Sequence, residues 1–318
     1  MSVVLITGGG GFIGFALAEA VAARGDTAVA FDLAFPDGVE PSPRLQLVRG
    51  DVTDAAGVIA AVRTHNVDSI MHAAAIVGIA PALQMATTVI RVNVEGSINV
   101  FEAARIHGIR RVIHISSEEV YGRYATPVVD EDSPAFPPTT YGATKLATEH
   151  FGRAWRQMYG LEVINLRIGW IYGLRLPRAR VPKILVDAVV RGEALHLAEG
   201  GDSRMDHTYV DDIVTGTLAA LDHREHPFDT YNLATGTAPS VHEMIAILRE
   251  IAPGARVSAG GGEIKHPGGI DMPRKGALNS ARAAAVFGYS PRYDLRAGLD
   301  AYIRDKRRAF DQEGRRVR

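Results

Sequence analysis

A tyrosine and a lysine stand four positions apart at the start of a segment with helical periodicity. Tyr141 and Lys145 bound the run Tyr-Gly-Ala-Thr-Lys, and side chains at i and i+4 lie on one face of a helix. A phenol, with an ordinary pKa of about 10, is a weak base at neutral pH, but a neighbouring ammonium favours its ionised form. Ser117, at the end of an apolar run, is placed to hydrogen-bond the same substrate oxygen. The spacing indicates proton abstraction from a hydroxyl; the alternative is an ordinary amphipathic pair on a helix surface.

A glycine-rich turn near the amino terminus is suited to a dinucleotide. Residues 7–14, Thr-Gly-Gly-Gly-Gly-Phe-Ile-Gly, lie between an apolar run typical of a buried strand and a helical pattern. Gly8 permits a tight turn, Gly11 lets a pyrophosphate approach the backbone, and Gly14 lets the helix pack near the strand. The cofactor residues predicted from this turn are Gly8, Gly11, Phe12, Ile13 and Gly14.

Asp32 indicates which dinucleotide this is. It ends the second predicted strand, and no Arg or Lys follows before Arg44. A carboxylate here accepts both ribose hydroxyls of adenosine and repels a 2′-phosphate, so NAD is predicted rather than NADP. The cationic nicotinamide ring would favour a phenolate further, and the lysine could hold the nicotinamide ribose. A glycine-rich turn with a capping Asp is the alternative.

Asp51 and Val52, after the third strand, are assigned to the adenine, with helix capping by Asp51 as the alternative.

Composition narrows the classes of partner. The chain has 318 residues, a net charge of −1 and no cysteine. It therefore has no general attraction to nucleic acid or anionic membrane, and thiolate catalysis and disulfides are excluded. A cysteine-free chain fits a cytoplasmic location. No apolar stretch is long enough for a membrane span, and the histidines lack ligand spacing, so no metal is expected. His114, inside the fifth strand, is expected to be a core histidine.

Strands alternate with helical patterns up to Gly169, which predicts an α/β fold with a Rossmann-type, doubly wound parallel sheet. After this point loops lengthen, and Pro and Gly become more frequent. We predict an NAD-binding domain over residues 1–169, to which residues 206–240 return. A smaller C-terminal substrate-binding lobe is predicted from residues 170–205 and 241–318. Residues 93–108 and 141–159 are the long predicted helices of the first domain.

Together these motifs resemble the extended short-chain dehydrogenase/reductases, in the NAD-dependent epimerase/dehydratase group. The resemblance extends from Val3 to about Arg307, and it also rests on residues 50–52, 72–75, 93–96, 115–122, 167–173, 209–212 and 287–289. It implies that Tyr141 is the proton acceptor and donor, that Ser117 hydrogen-bonds substrate, and that Lys145 modulates Tyr141 and the ribose. It further implies that Ala73, Ala74 and Ala75 line the cofactor and that Asn93 supports the active-site helix.

The reaction implied is hydride transfer from a carbinol carbon to NAD. Release of the ketone, return of the hydride to the other face, or loss of water would make a dehydrogenase, an epimerase or a dehydratase. Glu118 and Glu119 form an acidic pair like that of the family's sugar dehydratases, where acid–base work at the neighbouring carbon needs it. Glu119 is therefore a candidate catalytic base and Glu118 a candidate substrate residue; a structural carboxylate is the alternative.

Three positions depart from the family's nucleotide-sugar pattern. Trp170 stands where Asn is usual, Met205 where a diphosphate-binding Arg is usual, and His266 near a second such Arg. An arginine fork on a diphosphate binds far more strongly than a methionine contact. These departures weaken the prediction of a nucleotide-linked substrate.

A basic loop after the sixth strand could compensate by meeting a phosphate or a carboxylate. Its cations are Arg175, Arg178, Arg180 and Lys183. A solvated charged loop is the simpler interpretation. The substrate residues predicted on this side of the site are Trp170, Arg175 and Arg204.

We therefore predict an NAD-dependent enzyme acting on a sugar or nucleotide-sugar. The alternatives are a dehydrogenase of a free sugar or sugar acid and a non-catalytic, NAD-binding regulatory protein. The intact set of Ser117, Tyr141 and Lys145 argues against the last. The resemblance and the two long helices suggest a homodimer through a four-helix contact, and neither nucleic acid nor membrane is an expected partner.

Overall fold

The computed structural model describes residues 1–265 and 274–316. In chain order its strands are β1 (Val3–Thr7), β2 (Thr27–Asp32), β3 (Leu45–Arg49), β4 (Ser69–His72), β5 (Arg111–Ser117), β6 (Val128–Val129), β7 (Glu162–Ile168), β8 (Trp170–Tyr172), β9 (Leu195–Leu197), β10 (His207–Tyr209), β11 (Thr230–Leu233), β12 (Val257–Ala259) and β13 (Ala277–Leu278). The helices are α1 (Phe12–Ala23), α2 (Ala55–Thr64), α3 (Ile79–Gln84), α4 (Ala86–Ile90), α5 (Gly96–Ile106), α6 (Thr140–Tyr159), α7 (Val181–Arg191), α8 (Val210–Asp222), α9 (Val241–Ile251), α10 (Ala281–Phe287) and α11 (Leu295–Arg316).

Seven of these strands form one parallel sheet in the order β11-β7-β5-β4-β1-β2-β3. The central strands are buried on both faces, as the apolar runs of β1 and β2 require, and β5 is buried throughout although it carries Arg111, His114 and two serines. The strand order reverses between β1 and β4, and crevices at such switch points hold ligands in this class of fold. The Rossmann-type, doubly wound sheet predicted from the sequence is confirmed.

Helices cover both faces of the sheet. On one face α1, α8 and α10 contribute Leu17, Ile213 and Ala283 to a core shared with β1 and β7. On the other face α2 and α5 contribute Val62 and Phe101. Each helix buries one apolar stripe, which fixes its rotation and therefore the direction of the loops that enter and leave it.

A separate apolar core joins the later helices. Leu185 of α7, Met244 of α9 and Leu299 of α11 pack together with Tyr172 and Tyr209. Strand β10 pairs with β8 in a two-stranded sheet, and β12 pairs with β9 in another. Residues 206–240 were expected to return to the main sheet. Among them, β11 is the edge strand of that sheet, and α8 packs on the face of the sheet.

The two long predicted helices differ in regularity. Helix α6 begins where the Thr139 hydroxyl accepts a hydrogen bond from the Gly142 N–H at 3.1 Å, and it ends at Gly160, whose φ is +71°. The segment predicted as one helix over residues 93–108 is instead a π-helical turn, Arg91–Glu95, followed by α5. The π-turn carries Asn93.

A buried ion pair fastens α6 to the sheet. Glu149 on α6 accepts hydrogen bonds from Arg167 of β7 through Nη2 at 2.7 Å and Nε at 3.0 Å, and from the Ser116 hydroxyl of β5 at 2.6 Å. The side chains of both charged partners are buried. Removing one member of such a pair leaves the other charge without compensation in a low dielectric.

We expect Glu149→Ala to lower the free energy of unfolding by about 3–5 kcal/mol, because Arg167 would remain buried without its counter-charge. Asp300→Ala is the matched control, since it removes an exposed carboxylate paired with Arg304, and it should cost about 1 kcal/mol or less. Equilibrium denaturant unfolding measures both, and equal losses would contradict this account of α6.

Candidate active site

The candidate site lies at the carboxyl ends of the strands on either side of the switch point. The glycine-rich turn follows β1, the three alanines at 73–75 follow β4, and Ser117 ends β5. Helix α6 brings Tyr141 and Lys145 to the same edge, and all three catalytic candidates are buried. The topology thus assembles side chains that are far apart in the sequence.

Lys145 is the most constrained of the three. Its ammonium donates a hydrogen bond to the Ile115 carbonyl of β5 at 2.7 Å. Burial lowers the pKa of Lys145 to about 8, and the carboxylate of Glu149 one turn further along α6 opposes this shift. A lysine in this state remains largely charged at neutral pH.

Tyr141 needs positive charge nearby to act as a base. Burial raises the pKa of Tyr141 to about 12, the Ser117 hydroxyl and the arginines Arg180 and Arg178 lower it, and Glu119 raises it. The sequence pattern pointed to Lys145 as the cation beside the phenol. The structure adds two arginines, whose charges act on Tyr141 from the loop before α7.

The acidic pair is buried beside Ser117. The Glu119 N–H donates to the Ser117 hydroxyl oxygen at 3.2 Å, and the Tyr124 hydroxyl donates to Glu118. Lys275 places its Nζ 3.7 Å from Glu118 Oε1 and 3.4 Å from Glu119 Oε2. Burial raises the pKa of Glu118, and the charge of Lys275 opposes this shift. Lys275 was not identified from the sequence, because the pairing of β13 with β6 is what brings it here.

Arg178 and Arg180 of the basic loop lie close to the candidate site, whereas Arg175 does not. Arg180 lies over the ring of Trp170 at 4.6 Å, and a Cβ on Gly78 would come within 2.5 Å of Nη1 of Arg178. Burial lowers the pKa of both guanidinium groups, and Tyr141 opposes it. Within the described part of the chain neither guanidinium forms an ion pair with a carboxylate. Glu119 and Glu118 act on Arg180 only from beyond ion-pair distance, so two cations flank the phenol without a directly bound carboxylate among the described residues.

Two of the predicted substrate residues are held elsewhere. Arg175 forms an exposed ion pair with Glu19 of α1 at 2.8 Å. Arg204 pairs with Glu243 at 3.1 Å and donates to a backbone carbonyl before α9. The structure does not bring either guanidinium to Tyr141. His266 lies outside the described residues.

The glycine-rich turn is closely packed against the strands. A Cβ on Gly8, whose φ is +70°, would lie 2.6 Å from the Ala74 nitrogen, and one on Gly14 would lie 2.0 Å from the Gly8 oxygen. Helix α1 has no side-chain cap and no acidic residue in its first turn. Its first N–H groups are therefore available to an anion such as a pyrophosphate.

The predicted adenosine residues have different partners. Asp32 accepts a hydrogen bond from the Gly10 N–H at 3.0 Å, which places its carboxylate beside the turn. Asp51 accepts from the Thr53 N–H at 2.9 Å in a local turn, and it does not cap a helix, since α2 begins at Ala55 with Asp54 as its N-cap. Val52 packs against Gly96 at the start of α5.

Asn93 connects the cofactor loop to the catalytic helix. Its Oδ1 accepts from the Ile76 N–H at 2.8 Å, and its Nδ2 donates to the Ile76 carbonyl at 3.0 Å and to the Thr144 hydroxyl at 3.1 Å. Ile76 follows the alanines at 73–75, and Thr144 precedes Lys145. The geometry is that expected of a residue that supports the active-site helix.

Within residues 1–265 and 274–316, no three His, Asp or Glu side chains are grouped so as to hold a metal ion. No helix in the same ranges combines the length and apolarity needed to cross a membrane.

Asp32→Ala should weaken NAD binding by about 10–100-fold, because hydrogen bonds to a charged acceptor contribute about 1.5–3 kcal/mol. NADP binding should weaken much less, since the lost carboxylate would also have repelled the 2′-phosphate. Calorimetric titration of each dinucleotide measures this difference. Glu40→Ala removes an exposed carboxylate from the following loop as a control for net charge, and equal loss of both dinucleotides would refute the ribose assignment.

Comparison with known proteins agrees with this geometry. The model of the NAD dependent epimerase/dehydratase family matches residues 4–234. UDP-glucuronate 4-epimerase 4 of Arabidopsis thaliana is 28% identical over 95% of this chain and 74% of its own length. A UDP-glucose 4-epimerase of Mycolicibacterium smegmatis is also 28% identical, over 93% of this chain and 95% of its own.

A solved structure extends the similarity to three dimensions. MoeE5 in complex with UDP-glucuronic acid and NAD superposes with a TM-score of 0.84 and 29% identity, covering 97% of this chain and 100% of its own. The resemblance and the cofactor predicted from the sequence are both confirmed. The chain belongs to the NAD-dependent epimerase/dehydratase family.

Proposed function

We propose that the protein oxidises a carbinol of a nucleotide-linked sugar, with NAD as the hydride acceptor and Tyr141 as the base. The observation that carries the proposal is the joint burial of Ser117, Tyr141 and Lys145 beside the glycine-rich turn. Relatives across nearly the whole chain act on UDP-glucuronate and UDP-glucose. They favour a nucleotide-linked sugar over the free sugar that Trp170 and Met205 had suggested.

The residues present fit NAD. Gly8 and Gly14 permit a tight turn and a close approach of α1 that a Cβ would prevent, and the first N–H groups of α1 have no side-chain cap. Asp32 would hold the adenosine ribose, and Tyr141 with Lys145 would hold the nicotinamide ribose. When bound, NAD supplies a hydride acceptor that can also return the hydride to the sugar.

The side chains divide the proton chemistry among themselves. Ser117 donates a hydrogen bond to the sugar oxygen and orients it toward Tyr141, whose phenolate takes the hydroxyl proton. The arginines Arg178 and Arg180 lower the pKa of Tyr141 against the effect of burial. Lys145, one turn further along α6, would add a positive charge on the same face of the helix. If the hydride returns to the sugar, Tyr141 returns the proton to the same oxygen.

Tyr141→Phe should reduce kcat by about 10²–10⁴-fold, the usual contribution of a positioned acid–base group. NAD affinity should fall by no more than about 10-fold, because only one neutral hydrogen bond to the ribose is lost while Lys145 and Asp32 remain. Turnover of UDP-glucuronate and UDP-glucose, with NAD binding measured in parallel, checks both statements. Tyr159→Phe makes the same change at an exposed position of the same helix, and comparable activity in the two variants would sink the assignment of the base.

We also propose that the sugar is acidic, as in UDP-glucuronate. Arg178 and Arg180 are half-buried beside Tyr141 and lack a carboxylate partner within the described part of the chain. Desolvating two neighbouring cations is costly unless an anion completes the site. The carboxylate of a uronic acid, attached to the carbon next to the reacting carbinol, would supply that anion, and two of the Arabidopsis thaliana relatives carry UDP-glucuronate in their names.

Arg180→Met should raise KM for UDP-glucuronate by about 10–100-fold, since a charge-assisted hydrogen bond contributes about 1.5–3 kcal/mol. Its effect on UDP-glucose, which has a neutral hydroxymethyl group, should be several times smaller. Steady-state kinetics with the two sugars gives the ratio. Arg175→Met is the matched control: it removes a cation from the same loop, but one that is paired with Glu19, so the ratio should stay unchanged. An equal effect of Arg180→Met on both sugars would count against an acidic substrate.

Epimerisation is the reaction that the relatives favour, and dehydration is the second candidate. Return of the hydride to the opposite face needs only Ser117, Tyr141 and Lys145. Loss of water from the adjacent carbon needs an acid and a base in addition. Glu118, Glu119 and Lys275 form a buried cluster beside Ser117 that supports this second candidate.

The remaining proposals concern organisation. We propose a homodimer through α5 and α6, where Ile106, Phe151 and Met158 expose apolar surface on neighbouring helices. We propose a substrate-binding lobe built on the separate core of α7, α9 and α11. A cytoplasmic location rests on the absence of cysteine.

A further inference from the structure

Two buried histidines beneath Lys145 have no part in the mechanism so far described. His72 of β4 and His114 of β5 are completely buried, and their rings are stacked with centroids 5.8 Å apart and an interplanar angle of 26°. His114 Nε2 lies 3.5 Å from Nζ of Lys145. An imidazole in an otherwise apolar strand needs a partner for each ring nitrogen.

The hydrogen bonds around Asn165 determine which nitrogen of His114 carries the proton. Asn165 Nδ2 donates to the backbone carbonyl of Asp229 at 3.1 Å, which can only accept. Its Oδ1 therefore faces His114 Nδ1 at 2.9 Å, and Nδ1 must be the donor. In the neutral ring the lone pair is then on Nε2, which is directed toward the ammonium of Lys145.

The second imidazole is fixed in the opposite sense. Ser97 donates its hydroxyl proton to the Asn93 carbonyl, so its oxygen must accept from His72 Nε2 at 2.8 Å. His72 Nδ1 then accepts from the Thr7 hydroxyl at 2.6 Å. Both ring nitrogens of His72 are therefore hydrogen-bonded, one to Thr7 at the cofactor turn and one to Ser97 of α5, and neither is left to accept a hydrogen bond from Lys145.

We propose that His114 is a positioning residue for Lys145: its Nε2 accepts a hydrogen bond from the ammonium, and Asn165 holds the ring in the tautomer that keeps this lone pair available. The ammonium then has two acceptors below it, the Ile115 carbonyl and His114. An ammonium has three N–H donors, so one remains for the ribose of bound NAD and for Tyr141. The inference rests on the proposed function, in which Lys145 acts as a cation beside the phenol.

Electrostatics around Lys145 agrees with a neutral His114. Burial lowers the pKa of His114 well below its ordinary value, and the charge of Lys145 lowers it further, with His72 also contributing. Burial also lowers the pKa of His72, to about 3. Of the other titratable groups, Glu149 on the same helix acts on Lys145, and Glu149 is already bound by Arg167.

The direction of the expected effect follows from these charges. Without an acceptor at 114, the ammonium is harder to keep charged, so the pKa of Lys145 falls further below about 8. A larger fraction of Lys145 is then neutral at the pH of catalysis. In the NAD-loaded protein the cationic nicotinamide, together with Arg178 and Arg180, would lower the pKa of Tyr141 toward that of Lys145, so that the two groups titrate together. Under these conditions Tyr141 loses a neighbouring positive charge, and its phenolate forms only at higher pH.

The experiment measures the ionisation of Tyr141 in the NAD-loaded protein. The near-ultraviolet phenolate band is titrated in each protein, and the same titration with Tyr141→Phe added is subtracted, which isolates one phenol among the tyrosines. We expect His114→Leu to move the Tyr141 midpoint upward by about one pH unit, the equivalent of one charge-assisted hydrogen bond. His114→Gln, which offers an amide oxygen at this place, should restore most of the shift.

Two more variants keep the test decisive. Asn165→Leu removes the group that fixes the tautomer and should shift the midpoint in the same direction while leaving His114 in place; it serves also if His114→Leu does not fold. His226→Leu is the control, because this buried histidine contacts Tyr231 and the Ala220 carbonyl rather than Lys145, and it should leave the midpoint unchanged.

The outcomes separate this inference from the proposed function. An unchanged midpoint in His114→Leu and Asn165→Leu, or an equal shift in His114→Leu and His114→Gln, would overturn the role of His114 while leaving Tyr141 as the base. Full turnover by Tyr141→Phe, or the absence of any Tyr141 ionisation over the pH range in which the fold is retained, would overturn both.

Discussion

The ammonium of Lys145 donates to the Ile115 carbonyl at 2.7 Å in the interior of the protein. A cation in this position costs free energy, since burial removes its water. Several neighbouring features reduce that cost or direct the charge: the carboxylate of Glu149 on the same helix, the lone pair of His114 below, and the attachment of α6 through Asn93 and Thr144. The catalytic edge depends on this arrangement, because a fixed cation is what allows a buried phenol to act as a base.

Charge at the rest of the site is distributed unevenly. Around Glu118 and Glu119 the negative charge is met by Lys275. Around Tyr141 the positive charges of Arg178 and Arg180 have no carboxylate partner in the described part of the chain. Lys275 thus offsets one of the two negative charges of the acidic pair at close range, whereas neither arginine has a carboxylate within ion-pair distance in the described part of the chain, which leaves both for a ligand. This uneven distribution of charge is the physical reason for proposing that the sugar carries an anionic group next to its reacting carbinol.

Local patterns in the sequence were sufficient to predict the sheet and several of the candidate site residues. Alternating strands and helices predicted the parallel sheet, and residue spacing predicted the glycine-rich turn, Asp32 and the pair on α6. Long-range contacts were not predictable: Lys275 reaches Glu119 only because β13 pairs with β6. Loop conformation was not predictable either, since Arg175, with a φ of +70°, turns toward α1 while Arg180 turns toward Trp170. Apolar periodicity also could not reveal the π-turn that carries Asn93.

The central claim is that this site transfers hydride between a sugar carbinol and NAD. The most direct measurement uses UDP-glucuronate carrying deuterium at C4, mixed with stoichiometric NAD-loaded protein and quenched within one turnover. Mass spectrometry of the extracted cofactor then shows whether deuterium has moved to the nicotinamide. We expect deuterium on the cofactor of the wild-type protein while turnover is in progress, deuterium retained on the converted sugar, and no label on the cofactor with Tyr141→Phe. Exchange of the C4 deuterium with solvent during conversion, with no label on the cofactor at any quench time, would contradict hydride transfer.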